Sequence, residues 1–265
     1  MNNIWLQRDG LSSPLILDFE NPDLKGCHPR EHAKKLAEVK RWSGAKAFHG
    51  RTISVAEHAV LVAAIAECIA RKSEILNTDA LASMTALAGL HHDDHEAFPP
   101  FDVPTPLKRH LASPELSSMQ SAIDKAIARD VYKFPIGYVN SDGILKAVKV
   151  ADRIACFLDA IFIWRWNMAD AIRWAKLDPR DEGFLESMAF TYRGVHLWSV
   201  RAWEAVVHRS GNDPAIWQGK LVDLERTNNP GQIECRRPPL FSDDQTYLAV
   251  HNAICQDIGI PGVVY

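Results

Sequence analysis

The chain is poor in the features that define several broad protein classes. It holds only five cysteines (Cys27, Cys68, Cys156, Cys235 and Cys255), an odd number with no C-x-x-C pair. That spacing suits neither a disulfide framework nor a zinc finger, and it reads as buried or surface thiols in a reducing compartment. There is no excess of positive charge: 30 Lys and Arg stand against 33 Asp and Glu, a net charge of -3. A nonspecific nucleic-acid footprint is therefore excluded. Charged residues interrupt every long apolar run, so no transmembrane span is expected. The opening MNNIWLQRDG lacks the basic-then-apolar layout of a signal peptide. Internal repeats, low-complexity segments and convincing linkers are missing, and strand-period alternation is nearly absent.

What remains is a composition of 47% hydrophobic and 24% charged residues over 265 positions, close to the globular average. A chain this long buries a sizeable core without disulfides or a structural metal. We expect a soluble, cytoplasmic protein forming one domain over 1–265. Its parts would be a β/loop element over 1–28, a main helical body over 29–165 and a helical extension over 166–265.

Turn formers dominate up to about Pro29, around one apolar run, PLILDF at 14–19, the best strand candidate and half of a small hairpin. Helical signals follow. Pro29 opens a helix to about Trp42. Ser54 and Glu57 have capping-box spacing ahead of a run to about Arg71. Thr78-Asp79 caps a helix from Ala80 to about Asp94, with Leu81, Met84 and Leu87 at helical spacing. Four prolines between Phe98 and Pro106 mark a loop. Ser113-Pro114 starts a helix to about Val131, and Ser141-Asp142 starts one with Ile144, Val148, Ala151, Ala155 and Leu158 on one face. Further helices fit 179–208, 214–226 and 242–258. Trp198, Trp203 and Trp217, interleaved with Leu and Val, suit a core or a dimer face of a homo-oligomer. The fold class is mainly α.

The residues with chemical content are His58, the run HHDDHE at 91–96, and Asp152. Imidazole and carboxylate donors suit a hard or borderline divalent cation. His92 and Asp93 are adjacent at a helix end, where both can turn toward one ion. Asp152 interrupts the apolar face Val148-Ala151-Ala155, a costly place for a carboxylate without a partner. Pairing with Lys149 or Arg153 is the simpler alternative for it. Two His and two Asp leave coordination positions open, enough to polarise a phosphoryl oxygen and lower the pKa of an attacking water.

The order His58, His92-Asp93, Asp152 resembles the H…HD…D signature of the HD-domain metal-dependent phosphohydrolases. Residues 54–58 (SVAEH), 90–97 (LHHDDHEA), 102–108 (DVPTPLK) and 151–155 (ADRIA) are similar to successive segments of its 5′-deoxynucleotidase-like branch. Residues 17–22 (LDFENP) and 41–44 (RWSG) resemble the start of a bacterial and phage group that includes dATP triphosphohydrolases. The likeness spans roughly residues 5 to 160, so the fold implied is an HD-domain helical bundle.

The resemblance implies hydrolysis of a phosphoester or phosphoanhydride bond in a nucleotide, most simply a deoxynucleotide. His58, His92, Asp93 and Asp152 would hold one divalent ion, with Mn, Co, Mg, Fe, Ni and Zn left undistinguished. Glu96, one helical turn after His92, would position or deprotonate the water, and Asp102 would assist from the loop. Arg41 and Lys108 would contact phosphate, and Trp42 the sugar or base. Plainer readings stand beside these: Arg41 as a helix C-terminal cation, Lys108 in a solvated basic patch, and Trp42 as a core aromatic. Two departures fall at Asp102: the spacing from Glu96 is one residue longer than usual, and Phe101 replaces a Gly. His91, Asp94 and His95 are also unusual beside the motif; we read them as a solvated helix end, with a second ion as the alternative. The competing functions are a cyclic-nucleotide or alarmone phosphohydrolase and a nucleotide-binding HD module without turnover.

Overall fold

The computed structural model describes residues 3–6, 15–18, 20–45, 52–98, 114–135, 141–164, 191–192, 195–196 and 244–263. Strands β1 (Asn3–Leu6) and β2 (Leu15–Asp18) pair antiparallel, Asn3 opposite Asp18 and Leu6 opposite Leu15. This is the expected small hairpin, and Leu17 is fully buried. Helices α1 (Pro29–Glu38), α2 (Val55–Lys72), α3 (Asp79–Leu90), α4 (Pro114–Ala126), α5 (Asp142–Trp164) and α6 (Asp244–Asp257) make the described structure mainly α.

Local chemistry explains where the helices begin. The His28 ring accepts from the Arg30 amide at 3.2 Å, with Pro29 as the first helical residue. The capping box closes at α2: the Glu57 amide donates to Ser54 Oγ, and the Ser54 amide donates to Glu57 Oε2, each at 3.2 Å. Thr78 Oγ1 accepts from the Leu81 amide at 3.3 Å and starts α3. α2 is rich in Ala and Val and buried around most of its circumference, so it is the central helix. α3 and α5 pack against it, while α6 packs on α1 and α3. Leu36, Val60, Leu87, Leu90, Ile127 and Tyr247 belong to the resulting core.

Three expected helices change. α1 stops at Glu38, not Trp42, because Lys40 forms a β-bridge with Ser54. There the Arg41 amide donates to Ile53 O at 2.9 Å and the Val55 amide to Val39 O at 3.0 Å. α3 ends at Leu90, and His91 (φ -101, ψ 14) leaves helical geometry. Within 179–208, Thr191–Tyr192 and Val195–His196 form the two-residue strands β3 and β4, rich in strand formers. Asp102, Lys108 and the expected helix over 214–226 lie outside the described residues. Among the described residues no helix is long and apolar enough to cross a membrane. No disulfide joins the four described cysteines, Cys27, Cys68, Cys156 and Cys255.

Candidate functional site

Three helical elements deliver donors to one place. His58 lies in the first turn of α2, His92 and Asp93 follow the end of α3, and Asp152 projects from α5. One ligand atom each of His58, His92 and Asp93 lies within 4.8 Å of the others, as do those of His58, Asp152 and Cys156. His58 Nε2 is 3.1 Å from Asp152 Oδ1. His92 Nε2 is 3.0 Å from Asp93 Oδ2 and 3.6 Å from Asp152 Oδ1. Asp152 therefore turns to the two imidazoles, and the four residues expected to hold a metal fall in two overlapping groups that share His58.

The rings are fixed from behind. His58 Nδ1 donates to Asp159 Oδ2 at 2.9 Å, and His92 Nδ1 donates to Gly89 O at 2.8 Å. A carbonyl can only accept, so the proton of a neutral His92 sits on Nδ1 and its lone pair on Nε2. Metal-ligating histidines use this arrangement. His92 Nε2 is buried and makes no well-aligned hydrogen bond to a described residue, although Asp93 Oδ2 stands 3.0 Å away. An orphaned nitrogen facing two carboxylates fits a divalent cation, as does the donor set of two imidazoles and two carboxylates.

The electrostatics agree. Burial pushes the His92 imidazole down, but Asp93 and Asp152 overcome it and hold the ring well above its ordinary 6.5. Burial likewise raises the Asp152 carboxyl, yet His58 and His92 hold it far below the carboxylate range. The carboxylates thus favour positive charge between them: a proton on His92 supplies it here, and a divalent cation would supply it in the proton's place.

Arg41 is only 8% exposed and lies past the end of α1, so it is not a cation at a helix terminus. Its Nη1 is 3.3 Å from Asp93 Oδ2, its Nε 3.5 Å from Asp159 Oδ2, and its Nη2 donates to Cys156 Sγ at 3.2 Å. Trp42 follows in a left-handed turn, with φ 57 at Trp42, 53 at Ser43 and 75 at Gly44. Trp42 is half-buried.

Glu96 is 2% exposed, but it is not one helical turn from His92, because α3 has already ended. A short 3-10 turn, Asp94–Glu96, carries it instead. One ligand atom each of Asp93, His95 and Glu96 lies within 4.8 Å of the others. His91 and Asp94 are not a solvated helix end either; both are buried. Asp94 accepts from Tyr247 at 2.8 Å and lies 2.6 Å from His91 Nδ1, while His91 Nε2 is 3.0 Å from His251 Nδ1. Burial drives His91 down to about 3 and His251 down to about 2. It also drives Asp94 up to about 6, against the pull of His32 and Tyr247.

Sequence reasoning missed Cys156, Asp159, Asp124, Tyr247 and His251. The first two had a signal: Asp152, Cys156 and Asp159 stand at i, i+4 and i+7, on one face of a helix. The other three come from distant segments with no local mark. Residues 30–163, just over half of the chain, match the family model described as 5'-deoxynucleotidase YfbR-like. No curated protein matches the chain. With that match over half of its length, the chain belongs to the YfbR-like 5'-deoxynucleotidase family of the HD-domain superfamily.

Proposed function

We propose that the protein is a divalent-metal-dependent phosphohydrolase acting on a small-molecule deoxynucleotide, as a 5′-nucleotidase or a dNTP phosphohydrolase. The supporting observation is the convergence of His58, His92, Asp93 and Asp152, with both imidazoles oriented through Nδ1. These four residues would hold the ion, which supplies Lewis acidity toward a phosphoryl oxygen and lowers the pKa of an attacking water. Asp159 and Gly89 O keep the imidazoles aimed. Glu96, buried beside Asp93, takes the proton of the water and returns it to the leaving oxygen. Arg41 steadies Asp93 and Asp159 and has five N–H donors, enough to reach a phosphate oxygen as well. Trp42 packs on the deoxyribose where a 2′-hydroxyl would clash. Asp102 and Lys108 act from the Pro-rich segment, as an assisting carboxylate and a phosphate contact.

The test is a nucleotide panel on chelator-treated protein resupplied with single metals. The panel holds matched ribo- and deoxynucleoside mono- and triphosphates, cyclic nucleotides and an alarmone, with phosphate, pyrophosphate and triphosphate release resolved. Deoxynucleotides should be hydrolysed faster than their ribo counterparts, and only with metal present. Turnover confined to cyclic nucleotides or the alarmone would replace the substrate class. Stoichiometric metal with no turnover on any compound would leave only a binding module.

A further inference from the structure

A second group of donors follows the first along the same turn. One ligand atom each of Asp93, His95 and Glu96 lies within 4.8 Å of the others, and Asp93 also belongs to the His58–His92 group. His95 is held as His58 and His92 are held. Its amide donates to Asp124 Oδ1 at 2.9 Å, and its Nδ1 donates to the same oxygen at 3.1 Å. The remaining nitrogen, Nε2, is buried with no hydrogen-bond partner among the described residues. A ring anchored by a carboxylate at one nitrogen and bare at the other is oriented as a metal ligand is. Burying such a nitrogen bare is unfavourable, and a cation bound there removes the cost.

We infer that Asp93, His95 and Glu96 form a second divalent-cation site that shares the Asp93 carboxylate with the first centre. The inference rests on reading that first centre as a divalent-metal site. Two carboxylates and one imidazole suit a cation such as Mn2+. The Arg41 guanidinium 3.3 Å from Asp93 and an ion in the first centre both repel a second cation, so the second site is the weaker. Filling it engages Glu96 as a ligand and takes away its capacity to accept a proton. Turnover should therefore rise with the first ion and fall with the second.

The experiment titrates the metal-free full chain with Mn2+ and follows free and bound ion by electron paramagnetic resonance. Two Mn2+ per chain are expected, with the signal of an exchange-coupled pair at saturation. His95→Asn should bind one. Asp124→Asn changes a side chain 36% exposed, so it keeps the fold; it should retain the first affinity and weaken the second about 10–100-fold. A single Mn2+ in the wild type, lost on Asp152→Ala, overturns the second site and leaves the hydrolase reading standing. Two Mn2+ with unchanged affinities in both His95→Asn and Asp124→Asn overturn it as well. No Mn2+ bound by the wild type overturns both readings.

Discussion

His58 has a carboxylate at each ring nitrogen, Asp152 at Nε2 and Asp159 at Nδ1, and the two have different work to do. Asp152 faces the candidate ion, whereas Asp159 sits behind the ring and also meets Arg41 at 3.5 Å. A carboxylate behind a ligating imidazole fixes its tautomer and raises its basicity. Removing such a group weakens metal binding about 10–100-fold. Asp159→Asn keeps an acceptor for the Nδ1 proton and removes only the charge. The metal dissociation constant, measured by competition with a chelator, should rise within that range, and kcat at saturating metal should change less. An unchanged dissociation constant would show that the hydrogen bond alone suffices. At this scale the ligand types were legible, because imidazole and carboxylate side chains state their chemistry wherever they stand. Their partners were not, since Asp159 and His58 are 101 positions apart.

At the scale of the element, the site depends on how closely α2 and α3 approach. Gly89 is the point of contact: a Cβ there would stand 3.1 Å from Ala63 Cα, 3.1 Å from Ala66 Cβ and 3.2 Å from Val62 O. Ala is intrinsically better than Gly inside a helix by about 1 kcal/mol. Overpacking costs about 1–3 kcal/mol, and here two of the three obstacles are backbone atoms that cannot swing away. Gly89→Ala should therefore destabilise the protein by roughly 1–2 kcal/mol in urea unfolding. Metal affinity should fall with it, because Gly89 O holds the His92 ring. Stability equal to or above wild type would mean that the helices separate freely. The left-handed turn at Trp42–Gly44 is a second element-scale feature. Left-handed geometry costs about 1–2 kcal/mol for each residue with a Cβ, Trp42 and Ser43 here. The bridge between Lys40 and Ser54 anchors the chain just before the turn and ends α1 four residues short of Trp42. Helix starts were legible because caps are local; this helix end was not, because its cause lies at Ser54.

Across the whole molecule, α6 brings Tyr247 and His251 against His91 and Asp94, directly behind the residues that carry His92 and Asp93. The buried rings of His32, His91, Tyr132, Phe134 and His251 surround this contact. His251 is pushed down to about 2 by burial, with His91 adding to the effect. The unfolded chain, with an ordinary value of 6.5, takes up a proton as pH falls through that value, while the folded protein does not. Stability due to this group is therefore complete above pH 6.5 and is lost progressively toward pH 2. One proton of difference corresponds to a slope of about 1.4 kcal/mol per pH unit. His251→Gln should flatten the plot of unfolding free energy against pH between 6 and 4 by about that slope. Parallel plots for the two proteins would show that His251 is protonated in the fold.

By itself the sequence determined the mainly helical class, the starts of α1 to α5, the hairpin near the N-terminus and the candidate donors at His58, His92, Asp93 and Asp152. Caps, apolar periodicity and ligand chemistry are properties of neighbouring residues, so they can be read along the chain. Only the tertiary structure decided what those donors face. It ended α3 at Leu90 and set Glu96 on a 3-10 turn, and it buried Arg41 between Asp93 and Asp159. It also turned His91 and Asp94 inward to meet α6. Each of these outcomes depends on satisfying a buried polar group with a partner far away in sequence, a condition set only once the helices have packed.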